Sequence, residues 1–255
     1  MTERIDNYEQ RFGGIGRLYG IDVLERLKQT HICVIGIGGV GSWVVEAIAR
    51  CGIGQITMID MDDICVTNIN RQLPALTGNI GKLKTEVMKE RVQLINPDCH
   101  VNIIDDFLLA ENLAEYIHTG YDYVIDAIDN VRVKAALIAH CKRNKIPIIT
   151  IGGAGGQTDP SQIRVADLSR SIQDPLLAKV RSVLRKEYHF PQNPKRKFVV
   201  DCVFSTQPLI FPKMADNCTT SATMNCANGF GAATMITATF GFFAVAKIIN
   251  KLAKG

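Results

Sequence analysis

The sequence contains no Cys-x-x-Cys pair, although it has eight cysteines. That excludes a structural zinc ribbon and a thioredoxin-type redox centre, both of which need paired thiols at close spacing. Residues 1–11 are charged and polar and lack the apolar stretch of an export signal. No internal repeat and no low-complexity tract is present. A strong charge imbalance is missing too. Against 29 Lys and Arg stand 25 Asp and Glu, a formal net charge of +4, which permits a polyanionic partner without demanding one. Over 255 residues, apolar side chains make up 47% and charged ones 21%. Such a chain is neither disordered nor fibrous, and it is long enough to bury a core and hold a deep pocket. The cysteines are expected to be reduced thiols of a cytoplasmic protein that pack as small hydrophobes.

Charge disappears between Asp216 and Lys247. Residues 229–246 are apolar or small, with Phe230, Phe240, Phe242 and Phe243, and Lys247, Lys251 and Lys254 follow. A membrane span needs about 20 predominantly apolar residues, and this segment carries Thr234, Thr237 and Thr239. Two readings stay open: a helix that is buried or faces a second subunit, and a weak membrane association.

Strand-like and helix-like segments alternate. Apolar runs at 32–35, 55–59, 101–104, 123–128 and 146–151 read as strands. Helical patterns fall at 42–50, 84–94, 111–118 and 132–144. This order predicts an α/β fold: a Rossmann-like, mostly parallel sheet with helices on both faces. The nearly continuous apolar strands fit a sheet covered on both sides. Beyond Gly156 the pattern changes. Strands are expected at 163–166 and 198–204, with a polar, basic stretch at 169–197 between them. The expectation is one domain over 1–255, with a nucleotide-binding core at 12–156 and a substrate-side elaboration plus C-terminal helix at 157–255.

Gly36-x-Gly38-Gly39-x-Gly41 follows the first strand and opens a helix. Glycines are needed where backbone turns tightly and approaches phosphate oxygens, and free N–H groups at a helix start favour an anion. Asp60 ends the next strand, 60 − 41 = 19 residues after the last glycine, where a carboxylate can accept from ribose hydroxyls. Glycine spacing alone leaves NAD and ATP open. The polar segment after Asp60, with Arg71, Lys82 and Lys84, argues for a triphosphate, because phosphoryl-centre catalysis is positioning plus charge neutralisation. Asp129, just past the fourth strand, is placed to hold Mg²⁺ beside phosphate oxygens.

Taken in order, Gly36 to Gly41, Asp60-x-Asp62, Asn68-x-Asn70-Arg71-Gln72, Gly81-x-x-Lys84 and Asp126-x-x-Asp129-Asn130 resemble the E1-like adenylating family of ThiF, MoeB and HesA proteins. In the second half, residues 151–163, Val165-Ala-Asp167, Asp174-Pro175-Leu176 and Arg181-Ser-Val-Leu-Arg185 are similar to the branch of that family that dehydrates threonylcarbamoyladenosine in tRNA. The resemblance implies that Gly36, Gly38, Gly39 and Gly41 cradle phosphates and Asp60 takes the ribose. It also implies that Asn68, Arg71 and Lys84 contact the triphosphate, Asp129 engages Mg²⁺, and Asp62 and Asn130 belong to the same nucleotide site. Relatives reach ATP across a homodimer with an arginine near the N-terminus. The position where MoeB-like proteins carry it is Gly14, and Arg17 is the candidate substitute. MoeB and ThiF also carry two Cys-x-x-Cys pairs for zinc; no structural zinc is expected here.

The implied reaction is ATP-dependent cyclisation of N6-threonylcarbamoyladenosine at tRNA position 37 through a carboxyl-adenylate, with Arg71, Lys84 and Asp129 as catalytic residues. Lys179, Arg181, Arg185, Lys186, Lys195, Arg196 and Lys197 would meet tRNA phosphates, and Tyr188, His189 and Phe190 would offer a stacking face. Cys218 and Cys226 lie where thioester-forming relatives place a reactive thiol, but no catalytic role is assigned to them. Partners of a cysteine-desulfurase system are a further expectation. The competing functions are adenylation of a ubiquitin-like sulfur carrier, NAD-dependent oxidoreduction and non-catalytic scaffolding in sulfur transfer.

Overall fold

β-branched and apolar runs separated by glycine-ended helices can bury both strand faces only if the helices cross back over the sheet. The computed structural model, in which residues 7–211 and 230–254 are described, shows that arrangement. Its elements are α1 (Tyr8–Tyr19), α2 (Ile21–Gln29), β1 (His31–Ile35), α3 (Gly41–Arg50), β2 (Gln55–Ile59), α4 (Lys84–Ile95), β3 (His100–Ile104), α5 (Leu113–Tyr116) and β4 (Tyr123–Asp126). Then follow α6 (Val131–Arg143), β5 (Ile148–Ile151), β6 (Ile163–Asp167), α7 (Pro175–Glu187), β7 (Asp201–Ser205) and α8 (Thr234–Leu252). The sheet runs β3-β2-β1-β4-β5-β7-β6. All pairings are parallel except β6 with β7. Strand order reverses between β1 and β4, the place where doubly wound sheets open a crevice at their carboxyl edge.

The expected α/β class, the five strands of the first half and the two of the second are present. Strand ends differ: β4 stops at Asp126 and β5 starts at Ile148. The polar stretch contains a helix that was not expected. Asp174 caps α7 by accepting from the Leu177 N–H at 2.9 Å, Pro175 takes its first turn, and Leu177, Val180 and Leu184 point inward. The helices α1 and α2 were likewise not anticipated. α1 docks at the far end of α3, where the buried Tyr8 hydroxyl donates to the Gly52 carbonyl at 2.6 Å.

α8 has the length and apolarity of a membrane span, yet half of it is built into the core. Ile236, Phe240, Ala244, Val245, Ile248 and Ile249 are buried against the sheet and α3. Gly241 permits the approach, since a Cβ there would stand 3.1 Å from the Val40 carbonyl oxygen. The buried-helix reading describes the face of α8 that packs on α3.

The other side of α3 is tied to α4 by charge. Glu46 accepts from Arg91 at 2.6 and 2.9 Å and from Arg50 at 2.8 Å. Burial alone would push the Glu46 carboxyl up, but the two guanidiniums outweigh it and hold the group below the ordinary carboxylate range. A depressed folded-state value means that this stabilisation is complete above the ordinary carboxylate range and is lost as pH falls through the lowered value. Glu46→Gln is expected to cost about 1–3 kcal/mol near neutrality. Denaturant melts should show the gap between variant and wild type closing as the solution is acidified.

Candidate nucleotide site

β1 delivers the chain into the glycine turn and α3 carries it away. Gly36 has φ +85°, and a Cβ on it would press within 3.0 Å of the Ala127 carbonyl oxygen. Gly41 is more constrained, since a Cβ there would lie 1.8 Å from the Gly36 carbonyl oxygen. A space opens above Gly38, where the nearest foreign atom to a Cβ would be Gln72 Nε2, 3.9 Å away. Ser42 stiffens the turn, donating to the Gly38 carbonyl at 2.7 Å and accepting from the Leu73 N–H at 3.2 Å.

Asp60 at the end of β2 faces the turn. Its Oδ2 accepts from the Ile37 N–H at 2.6 Å and its Oδ1 from the Asp62 N–H at 2.8 Å. Burial pushes the Asp60 carboxyl up, against the pull of Lys84 and those two N–H groups. Lys84, almost fully buried at the start of α4, donates to Asp62 Oδ2 at 2.7 Å and stands 3.9 Å from Asp60 Oδ1. Asp60, Asp62, Lys84 and the turn therefore form one cluster.

Arg71 reaches the same turn from the other side. It crosses over Gly39, where an added Cβ would stand 3.3 Å from Thr237 Cγ2 and 3.4 Å from Arg71 Cγ. Its Nη1 donates to the Thr67 carbonyl at 2.7 Å and to Asn70 Oδ1 at 3.0 Å, which leaves Nε and Nη2 without a partner among the described residues. The backbone is pinned from two helices. The Arg71 carbonyl accepts from Trp43 Nε1 at 3.0 Å and from the Thr237 hydroxyl at 3.3 Å. The Asn70 carbonyl accepts from the Thr234 hydroxyl at 2.6 Å. Asn68 is buried nearby, its Oδ1 accepting from the Cys65 N–H at 3.0 Å. Gln72, quoted in the sequence motif but given no role there, is also buried, and its Oε1 has no hydrogen-bond partner. The Nε2 of the same amide is the atom that borders the space over Gly38.

Asp129 projects from the loop after β4 and is exposed. The loop is held from below by Lys134, fully buried, which pairs with Asp126 at 2.9 Å and donates to the Ile128 carbonyl at 2.9 Å. Thr150 completes this buried group by donating to Asp126 at 2.6 Å. Asn130 serves as the N-cap of α6, accepting from the N–H groups of Arg132 and Val133. Sequence reading missed Lys134, since a lysine in an amphipathic helix looks solvated. No group of three metal-ligating side chains occurs among the described residues. A lone carboxylate still suits Mg²⁺, which takes one or two carboxylates plus substrate phosphates.

Arg17 is not part of this cluster. It is exposed on α1, and its guanidinium lies back along that helix beside Gly13 and Gly14. Cys218 and Cys226 lie outside the described residues. Cys33, Cys99, Cys141 and Cys202 are buried and Cys51 is half-buried. Burial pushes the Cys51 thiol up to about 11 and those of Cys99 and Cys141 up to about 12, as expected of inert packing thiols.

The ThiF family profile matches residues 14–254. The chain belongs to the ThiF family. It is 78% identical over 251 residues to the tRNA threonylcarbamoyladenosine dehydratase of Haemophilus influenzae, covering 98% of this chain and 96% of that one. With the enzyme of the same name from Escherichia coli K12 it shares 57% identity over 254 residues, covering 97% and 95%. The crystal structure of the E. coli tRNA N6-threonylcarbamoyladenosine dehydratase in complex with ATP superposes with a TM-score of 0.89 at 56% identity, covering 97% of this chain and 95% of that one. The ThiF-family glycine turn described above sets a direct test. Gly41→Ala is expected to abolish ATP binding in calorimetric titration. Gly78→Ala, where an added Cβ meets nothing within 4 Å, should leave it unchanged.

Proposed function

We propose that this chain is an ATP-dependent tRNA threonylcarbamoyladenosine dehydratase. The observation that carries the reading is the convergence of Arg71, Lys84 and Asp60 on a glycine turn that admits no side chain at Gly36 or Gly41, in a chain related over nearly its whole length to dehydratases. A carboxylate is a poor electrophile until it acquires a leaving group. The threonyl carboxylate oxygen attacks the α-phosphorus of ATP, the bond to the β-phosphate bridge breaks, and pyrophosphate leaves. The carbamoyl part of the same substituent then attacks the activated carbonyl carbon, losing a proton as the ring closes and AMP departs. One carboxylate oxygen leaves with AMP, so the base loses one water. Ring closure is intramolecular and gains from proximity.

The residues divide this work. Turn N–H groups and the start of α3 receive phosphate oxygens. Asp60, whose oxygens keep acceptor capacity beyond the bonds to Ile37 and Asp62, takes ribose hydroxyls. The free Nε and Nη2 groups of Arg71 and the remaining Lys84 protons oppose charge that builds at the α-phosphate. Mg²⁺, when bound, neutralises phosphate charge, and Asp129 is the residue that would hold it.

The tRNA would lie on exposed Lys179, Lys186, Lys195, Arg196 and Lys197. Two other cations of the expected patch face inward. Arg181 donates to Ser171, and Arg185 lies over the Phe198 ring at 5.1 Å. Phe190 packs edge-on against Phe198 at 5.0 Å, which leaves exposed His189 as the better stacking face. A second copy of the chain would cover the outward apolar side chains Val66, Ile69, Met235 and Phe242 and supply Arg17 across the interface. The cytoplasmic reading rests on the tRNA substrate.

ATP–pyrophosphate exchange dependent on threonylcarbamoylated tRNA tests the reading. Arg71→Ala and Asp129→Ala should each slow it by roughly 10²–10³-fold. Exchange that instead required a small protein with a di-glycine end would contradict the assignment.

A further inference from the structure

A second concavity opens at the amino-terminal edge of the sheet, opposite the glycine turn. It has a volume of about 570 Å³, with Tyr123, Ile148 and Asp201, the first residues of β4, β5 and β7, in its wall. Around it stand Lys142, Lys145, Lys197, Lys247 and Lys251. Two carboxylates share the space and both are engaged. Asp167 accepts from the backbone N–H groups of Ser169, Phe198, Val199 and Val200. Asp201 pairs with Lys251 at 2.5 Å and Lys247 at 3.8 Å. Lys142 donates to the Val199 carbonyl at 3.1 Å, and among the described residues neither it nor Lys145 nor Lys197 forms an ion pair.

The cleft does not end there. Lys142 and Lys197 also line a neighbouring groove of about 270 Å³, together with Arg143, Tyr188 and His189. Arg143 lies over the Tyr188 ring at 5.6 Å. The two concavities thus form one track with cations along its length and aromatic rings at one end. α6 fixes its distance from the reaction. Asn130, next to Asp129, caps one end of this helix, and Arg143 closes the other. Thirteen residues at the rise of an α-helix span about 20 Å.

We propose that this track holds backbone phosphates of the substrate tRNA's stem while the modified loop nucleotide reaches the glycine turn. The proposal rests on the dehydratase reading and extends it. A mononucleotide bound at Asp129 cannot extend 20 Å to these lysines, whereas a stem-loop does. Double-stranded RNA is recognised by shape and phosphate contact rather than by base edges, and such contacts set register on the nucleic acid. Lys142, Lys145 and Lys247 come from α6, its following turn and α8, outside the basic stretch that sequence alone brings to attention.

The test is Lys145→Gln combined with Lys247→Gln in the full chain, with ATP affinity and thermal melting measured to show an intact fold. The full tRNA should bind about tenfold more weakly at fixed salt. The slope of log affinity against log salt should fall by roughly 0.7–0.9 for each phosphate contact removed. Affinity for an isolated anticodon-loop oligonucleotide should not change. Unchanged tRNA affinity and slope, with wild-type dehydration intact, would overturn the track and leave the reaction standing. Weaker pyrophosphate binding with tRNA affinity intact would reassign the cleft to a small phosphate ligand and also overturn the proposal. A wild-type protein that bound no tRNA would instead remove the dehydratase reading, and the track with it.

Discussion

A Cβ on Gly41 would lie 1.8 Å from the Gly36 carbonyl oxygen, and the geometry of the site depends on that contact staying free of side-chain atoms. The closure brings the end of β1 against the start of α3. It leaves the Ile37 N–H where the Asp60 carboxylate can accept it at 2.6 Å. Asp60 in turn stands beside Lys84, which is clamped to Asp62. One backbone constraint thus carries the proposed phosphate cradle, the proposed ribose acceptor and a buried cation. A carboxylate whose charge is disfavoured by burial and an ammonium held nearby suit the proposed task of receiving both ribose hydroxyls and phosphate oxygens.

Arg71 is placed by a different device. Its main chain is gripped by Trp43 from α3 and by Thr234 and Thr237 from α8. The apolar C-terminal helix, whose composition also matches a membrane span, therefore has a task at the site. Its inner face fills the core and its first turn aims the loop that carries the cation. The buried Lys134–Asp126 pair does the same for the loop of Asp129. Removing one partner of such a pair leaves an uncompensated charge in the core, which is costly. Lys134 and Asp126, both without exposure, are therefore tolerated in the core only as a pair.

Much of this was legible in the residues. Strands β1 and β2, the glycine turn and Asp60 follow from apolar runs, glycine spacing and a carboxylate at a strand end. The convergence of Arg71 and Lys84 follows from cations placed after that strand. The helix α1 was not legible, because glycines at 13, 14 and 16 weaken the helical signal and a tertiary contact from Tyr8 to Gly52 restores it; α2 does carry the pattern, with Val23, Leu24 and Leu27 on one face, but it is too short to stand out from the loops around it. α7 was signalled by Asp174-Pro175, but charge masked its apolar stripe. The inward turn of Arg181 and Arg185 could not be read either, since exposure of a cation is set by tertiary packing. The same limit hid the lysine track, whose members are far apart in sequence.

Attack of the substrate carboxylate on the α-phosphorus leaves an isotopic signature in the products. Substrate tRNA whose threonyl carboxylate carries oxygen-18 would be turned over with unlabelled ATP, and the nucleotide and phosphate products analysed by mass spectrometry. Attack at the α-phosphorus yields AMP carrying one labelled oxygen, with unlabelled pyrophosphate. Label in inorganic phosphate, with ADP as the nucleotide product, would contradict it.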